Sequence, residues 1–134
     1  MEAVKYKEAL AHPMGRKSQS ERYKAYVRNY KERYRDYTYS IDWPYEEKID
    51  EENEAVDVWL EMRDGQRLSA NFITRKCLDS LFKKNEQTGE CASGAYFCMP
   101  GMVIVNRLNE DTIRATIDDL IVGLTVEEYF KKYD

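Results

Sequence analysis

The sequence predicts an α+β domain. Its antiparallel sheet is built from two β-hairpins, about 56–73 and 95–108, each followed by a helix, and a tyrosine-rich amphipathic helix precedes them. Three observations carry the prediction. Val56, Val58, Leu60 and Met62 alternate with Asp57, Trp59, Glu61 and Arg63, and Leu68, Ala70 and Phe72 alternate likewise, the period of a half-buried strand. Thr74 and Asn109 stand as N-caps ahead of apolar residues at helical spacing. Tyr23, Tyr26, Val27, Tyr30, Tyr34 and Tyr37 fall within about a third of a helix circumference at roughly 100° per residue.

Taken in order, residues 2–11 predict a short helix that the run HPMG at 12–15 breaks. Ser18-Gln19-Ser20-Glu21 has the form of a capping box, and the helix it opens is expected to run to about Asp36. Lys24, Arg28, Lys31 and Arg35 line up beside the tyrosine arc at i, i+4, i+7 and i+11, giving one aromatic face and one basic flank. The stretch YSIDWPY at 39–45, interrupted by Pro44, reads as an extended connector, and 46–55 as an acidic linker or loop. The domain plan is therefore a single unit over 1–134, with an N-terminal helical arm at 1–45 and a ββαββα core at 56–134.

Side-chain parity fixes the first turn. A two-residue Asp64-Gly65 turn would set Leu60 opposite Ser69, apolar against polar. A three-residue loop, Arg63-Asp64-Gly65, sets Leu60 opposite Leu68 and Val58 opposite Ala70, with Gly65 left-handed at a bulge. A helix from Thr74 to about Glu86 is expected to bury Cys77, Leu78, Leu81 and Phe82 and to end at Gly89. Tyr96–Met99 and Met102–Leu108 read as the second hairpin around Pro100-Gly101. Met102–Val105 is continuously apolar, so both its faces should be covered. The helix after Asn109 buries Ile113, Ile117, Leu120 and Ile121. Thr125-Val126-Glu127-Glu128 is a second capping box, opening a last helix with Val126, Tyr129, Phe130 and Tyr133 inward. The two later helices should cover one sheet face. The tyrosine helix, from this chain or a second copy, is the candidate cover for the other face, which bears Trp59 and Ile104.

Residues 57–122 resemble a set of small uncharacterised bacterial proteins through DGQRLSANFITRKCLDSL, TGEC, AYF, MVIVNRL and TIRATIDDLI. The resemblance implies an α+β fold and brings no activity, so no site residue comes with it. Residues 1–55 lie outside it, and Cys98 stands where a tryptophan is expected.

Composition narrows function. The chain has 134 residues, 43% hydrophobic and 34% charged, with net charge −4, a soluble globular profile. No apolar run is long enough to span a bilayer, and MEAVKYKEALAHP has no apolar signal core, so a cytoplasmic protein without membrane contact is expected. Cys77, Cys91 and Cys98 are an odd number and lack a close zinc-knuckle spacing. They read as structural thiols, with no cofactor or metal implied. His12 reads as a solvated loop residue, and Cys91 has no basic neighbour in sequence to activate it. Asp118-Asp119 and Glu127-Glu128 read as solvated faces. An enzyme is not expected.

The candidate site is the N-terminal helix. Residues 16–36 hold eight Lys/Arg against three Asp/Glu, while 42–57 hold eight Asp/Glu against one Lys. Tyrosine and arginine are enriched where proteins bind proteins. Every tyrosine hydroxyl also needs a partner or water, which argues for a face at a wet boundary. The expected function is a non-enzymatic protein-binding module, by analogy a self-associating accessory, inhibitor or immunity-type protein, with a protein partner or a homo-oligomer. Its interaction residues are Tyr23, Lys24, Arg28, Tyr30, Lys31, Tyr34, Arg35 and Trp59. The alternative puts nucleic acid on the same helix, with cations on phosphates and tyrosines stacked on bases.

Overall fold

A computed structural model describes residues 16–44 and 49–133. The elements run α1 (Arg16–Tyr34), β1 (Thr38–Ile41), β2 (Ala55–Glu61), β3 (Arg67–Thr74), α2 (Arg75–Thr88), a short turn α3 (Glu90–Gly94), β4 (Met102–Val105), α4 (Glu110–Val122), α5 (Val126–Tyr129) and β5 (Lys131–Tyr133). The α+β class holds. The helix expected over 2–11, the HPMG break and His12 lie outside the described residues. Ser18–Glu21 falls inside α1, which starts at Arg16, rather than at its cap.

The first hairpin has the register that parity demands: Leu60 pairs with Leu68, Val58 with Ala70 and Glu61 with Arg67. The Met62 amide donates to Gln66 O and the Gly65 amide to Met62 O, both at 2.9 Å, and Gly65 sits at φ 85°. This is the three-residue loop with its bulge. Asp64 braces it by accepting from the Gln66 amide at 2.9 Å. The connector after α1 proves more regular than its sequence suggests, since Thr38–Ile41 forms β1, antiparallel to β2.

The second hairpin does not form. Residues 96–99 form no strand, and β4 pairs in parallel with the second half of β3, Asn71 opposite Met102 through Thr74 opposite Val105. The chain leaves β3 through α2 and returns to the same edge, a crossover in place of a hairpin. The first half of that edge belongs to β5, antiparallel, with Arg67 opposite Tyr133. A residue period marks a segment as extended but says nothing of its neighbour. Gly101 sits where the three strands meet, at φ 70°, with its carbonyl accepting from the Asn71 amide at 2.7 Å. A Cβ there would meet Ser69 O at 3.1 Å.

One face of the sheet carries the core. Val56, Val58, Leu60, Leu68, Ala70 and Phe72 are buried under α1, α4 and α5 through Tyr30, Tyr34, Ile113, Ile117, Val126 and Phe130. The tyrosine helix therefore covers the same face as α4, not the face bearing Trp59. It packs there because β1 carries the chain back along β2 and leaves α1 above the side to which Tyr39 and Ile41 also point. On the opposite face Ile104 is 51% exposed, so the apolar run of β4 is covered on one side only.

The caps behave as read for the middle helices. Thr74 Oγ1 accepts from the Cys77 amide at 3.3 Å and Asn109 Oδ1 from the Thr112 amide at 2.8 Å, while Gly89 ends α2 at φ 84°. The side chains expected inside on α2 are only half-buried, and Asn85 is the buried residue of that helix. Thr125 makes no capping bond to α5 through its side chain. Val126 and Phe130 turn inward, whereas Tyr129 and Tyr133 are about half exposed. TGECASG is a turn of unusual hand: Cys91, Ala92 and Ser93 all have φ between 51° and 58°. Left-handed non-glycine residues cost about 1–2 kcal/mol each. The turn presses so closely on α2 that a Cβ on Gly94 would meet Phe82 O at 2.8 Å.

Candidate functional site: a basic-rimmed groove between α1 and α4

The tyrosine arc of α1 divides along its length. Tyr30 and Tyr34, each 2% exposed, stack with ring centres 4.7 Å apart and belong to the core. Tyr26 and Tyr37 are half-buried, and Tyr23 is 42% exposed. The expectation of a wet, partly exposed tyrosine face is thus corrected for its two central members. Their hydroxyls find partners within the chain. Tyr30 Oη accepts from the Val126 amide at 3.0 Å, and Tyr34 donates to Glu127 at 2.8 Å. Two further tyrosines bond carboxylates of α4, Tyr37 to Asp118 at 2.8 Å and Tyr39 to Glu110 at 2.5 Å.

These contacts make the tyrosines weaker acids, with a definite order of causes. Burial lifts the Tyr30 and Tyr34 hydroxyls well above the ordinary tyrosine range, and the bond to Glu127 raises Tyr34 further. Burial and then the Asp118 bond raise Tyr37. The Glu110 bond leads for the half-buried Tyr39. A phenol beside a carboxylate keeps its proton because ionisation would put two negative charges together.

Glu127 was not legible as special. Read in sequence as half of a solvated carboxylate pair, it is 5% exposed and pairs with Arg33 Nη2 at 3.2 Å. Arg33 also donates to Gln66 in the first hairpin. Glu127 thereby ties α1, the hairpin loop and α5 together. The one signal pointing to it is the demand of Tyr34 for an acceptor, which names no partner.

The remaining candidates gather on the outer side of α1. Tyr23, Lys24, Arg28, Lys31, Tyr34 and Arg35 line a groove of about 860 Å³ between α1 and α4, together with Val27, Tyr37, Ile121 and Val122. Sequence reasoning missed the α4 side of this groove because Val122 reads as a helix end. In the fold it lies 73% exposed beside the cations. Among the described residues Lys24, Arg28 and Lys31 form no ion pair, while Arg35 pairs with Glu32 at 3.4 Å and Asp36 at 3.8 Å. The two acids of the lining are already engaged. Glu32 accepts from Arg63 at 3.0 Å, and Asp118 holds the Tyr37 hydroxyl. The described part of the acidic segment turns elsewhere: Glu51 bonds Asn109 and Glu52 pairs with Arg107 at 3.8 Å, so neither neutralises the basic row.

Trp59 lies apart from this group. It sits half-buried on the opposite sheet face, edge-on to Tyr133 with ring centres 4.8 Å apart. Tyr30 is likewise removed from the groove by its burial. The cysteines stand outside it too, with Cys77 and Cys91 half-buried and Cys98 exposed.

Comparisons with protein-family models, curated proteins and solved structures found no match to this chain. No helix among the described residues is long and apolar enough to cross a membrane.

Proposed function

We propose that this chain is a non-enzymatic, cytoplasmic protein-binding module of the accessory or inhibitor kind, working through the α1/α4 groove. The observation that carries the reading is the groove itself: an apolar floor open beside a row of cations, of which Lys24, Arg28 and Lys31 form no ion pair among the described residues. Exposed apolar surface rimmed by charge is the composition of a binding patch. The fold maintains this surface at a cost, since a row of like charges on one helix flank is mildly destabilising when left unpaired.

The second reading, nucleic acid on the same row of cations, keeps its phosphate contacts but loses two of its three stacking platforms. Tyr30 and Tyr34 are buried, which leaves Tyr23 as the exposed ring beside the cations.

A photoreactive phenylalanine derivative in place of Val122 tests both, with one in place of Ile104 on the opposite face as the control. Protein adducts formed from position 122 and not from 104, and suppressed in R28E/R35E, are the expected result. Adducts to nucleic acid would move the assignment to the second reading. No adduct at position 122 would end the groove's candidacy.

A further inference from the structure

We infer that the α1/α4 groove takes a helix of a partner protein, about three turns long, with one apolar stripe flanked by a row of Asp and Glu. The inference rests on the protein-binding reading and narrows it to one kind of partner.

The groove is walled by two helices. Helix backbones satisfy their own amides and carbonyls, so this surface offers no ladder to which an extended strand could bond. An occupant must arrive with its backbone already satisfied. A helix meets that condition, and an apolar face read at i, i+3, i+4 and i+7 matches a narrow apolar floor.

The charge row sets the rest. Lys24, Arg28, Lys31 and Arg35 span twelve residues, eleven steps and about 16 Å at the helical rise, or three turns. Their spacing follows the helical repeat, so a helix laid alongside α1 can present carboxylates in step with them. Three of the four cations have no ion-pair partner among the described residues, and the lining's own acids are occupied by Arg63 and the Tyr37 hydroxyl. Complementary charge at such a rim sets orientation and encounter rate, while contact with Val27, Ile121 and Val122 supplies most of the affinity.

The experiment pans a displayed library of helical peptides, with randomised surface positions, against the full chain. Selected peptides should carry an apolar stripe with Asp or Glu along one flank. A selected peptide, labelled and followed by fluorescence anisotropy, should bind R28E/R35E at least about tenfold more weakly. Exchanging its Glu for Lys should restore binding to that variant and weaken binding to the wild type. Val122→Glu, a change at an exposed position that leaves the core untouched, should also weaken binding.

Recovery of no binder, or only of neutral or basic peptides, overturns the inference, as does binding indifferent to both variants. Displacement of the peptide by single-stranded nucleic acid at comparable concentration would reassign the cation row to phosphate. Protein crosslinks at position 122 to a partner without acidic helices would remove this inference alone and leave the binding-module reading intact.

Discussion

Replacing Glu127 by alanine should be among the most damaging single changes to this fold. The carboxylate is 2% accessible, accepts from Tyr34 Oη at 2.8 Å and faces Arg33 Nη2 at 3.2 Å. Its loss leaves a buried phenol without that acceptor and a guanidinium, 21% accessible, without that counter-charge. Breaking a buried pair by removing one partner costs about 3–5 kcal/mol. Arg33 keeps its bond to Gln66 and some access to water, which puts the expected loss near the lower limit, about 3 kcal/mol. Against a total stability of about 5–15 kcal/mol this is a large fraction. At roughly 4 °C per kcal/mol for a domain of this size it lowers Tm by about 12 °C.

Glu127→Gln retains an acceptor for Tyr34 and removes the charge, so it should cost less, about 1–2 kcal/mol. Tyr34→Phe should cost about 1 kcal/mol. Urea unfolding of both single variants and the double variant gives the coupling between the two side chains, expected at about 1 kcal/mol or more. A Glu127→Ala variant within about 0.5 kcal/mol of the wild type, with coupling near zero, would refute the latch between α1 and α5.

Three further outcomes are expected. Tyr30 and Tyr34 have hydroxyls raised above their ordinary value of 10.0, so their contribution is fully present below that pH and is lost as pH rises beyond it. Each should take away about 1.4 kcal/mol per pH unit in that range, read as a falling urea midpoint, and Tyr30→Phe should flatten the decline. Gly101→Ala should destabilise more than Gly65→Ala. Both place a Cβ at positive φ for about 1–2 kcal/mol, but only Gly101 also meets backbone, at 3.1 Å, where Gly65 has open space within 4 Å. Equal losses in thermal unfolding would count against the three-strand junction at Gly101. Ile104→Lys, on an exposed edge-strand position, should change stability by less than about 0.5 kcal/mol while reducing concentration-dependent association in light scattering.

The legible and illegible parts of this fold separate by range in sequence. The first hairpin could be read to the residue because parity forbids every register but one once a face is buried. The caps at Thr74 and Asn109 were legible because capping is a contact over three residues. Strand partners were not: nothing in Met102–Val105 states that it lies parallel to β3, or that Lys131–Tyr133 takes the other half of the same edge. Of the candidate site, the cation row followed from spacing alone, and the groove it borders did not, because Ile121 and Val122 reach it only through tertiary packing. Strand alternation correctly sets Trp59 on the face opposite Val58 and Leu60; what it does not reveal is that the tyrosine helix packs on the Val58 and Leu60 side.

The hydroxyl bonds of α1 also bear on when the groove exists. Tyr34 and Tyr30 reach partners 93 and 96 residues further along the chain. A highly charged helix of 19 residues is marginal on its own and gains its persistence from docking. Its dock at α5 joins residues far apart in sequence, a closure that is costly in entropic terms. The α1 wall of the groove therefore depends on contacts made across a long sequence separation. A ligand bound in that groove would engage only the docked form of α1, so its binding energy would add directly to the hold of α1 on α5.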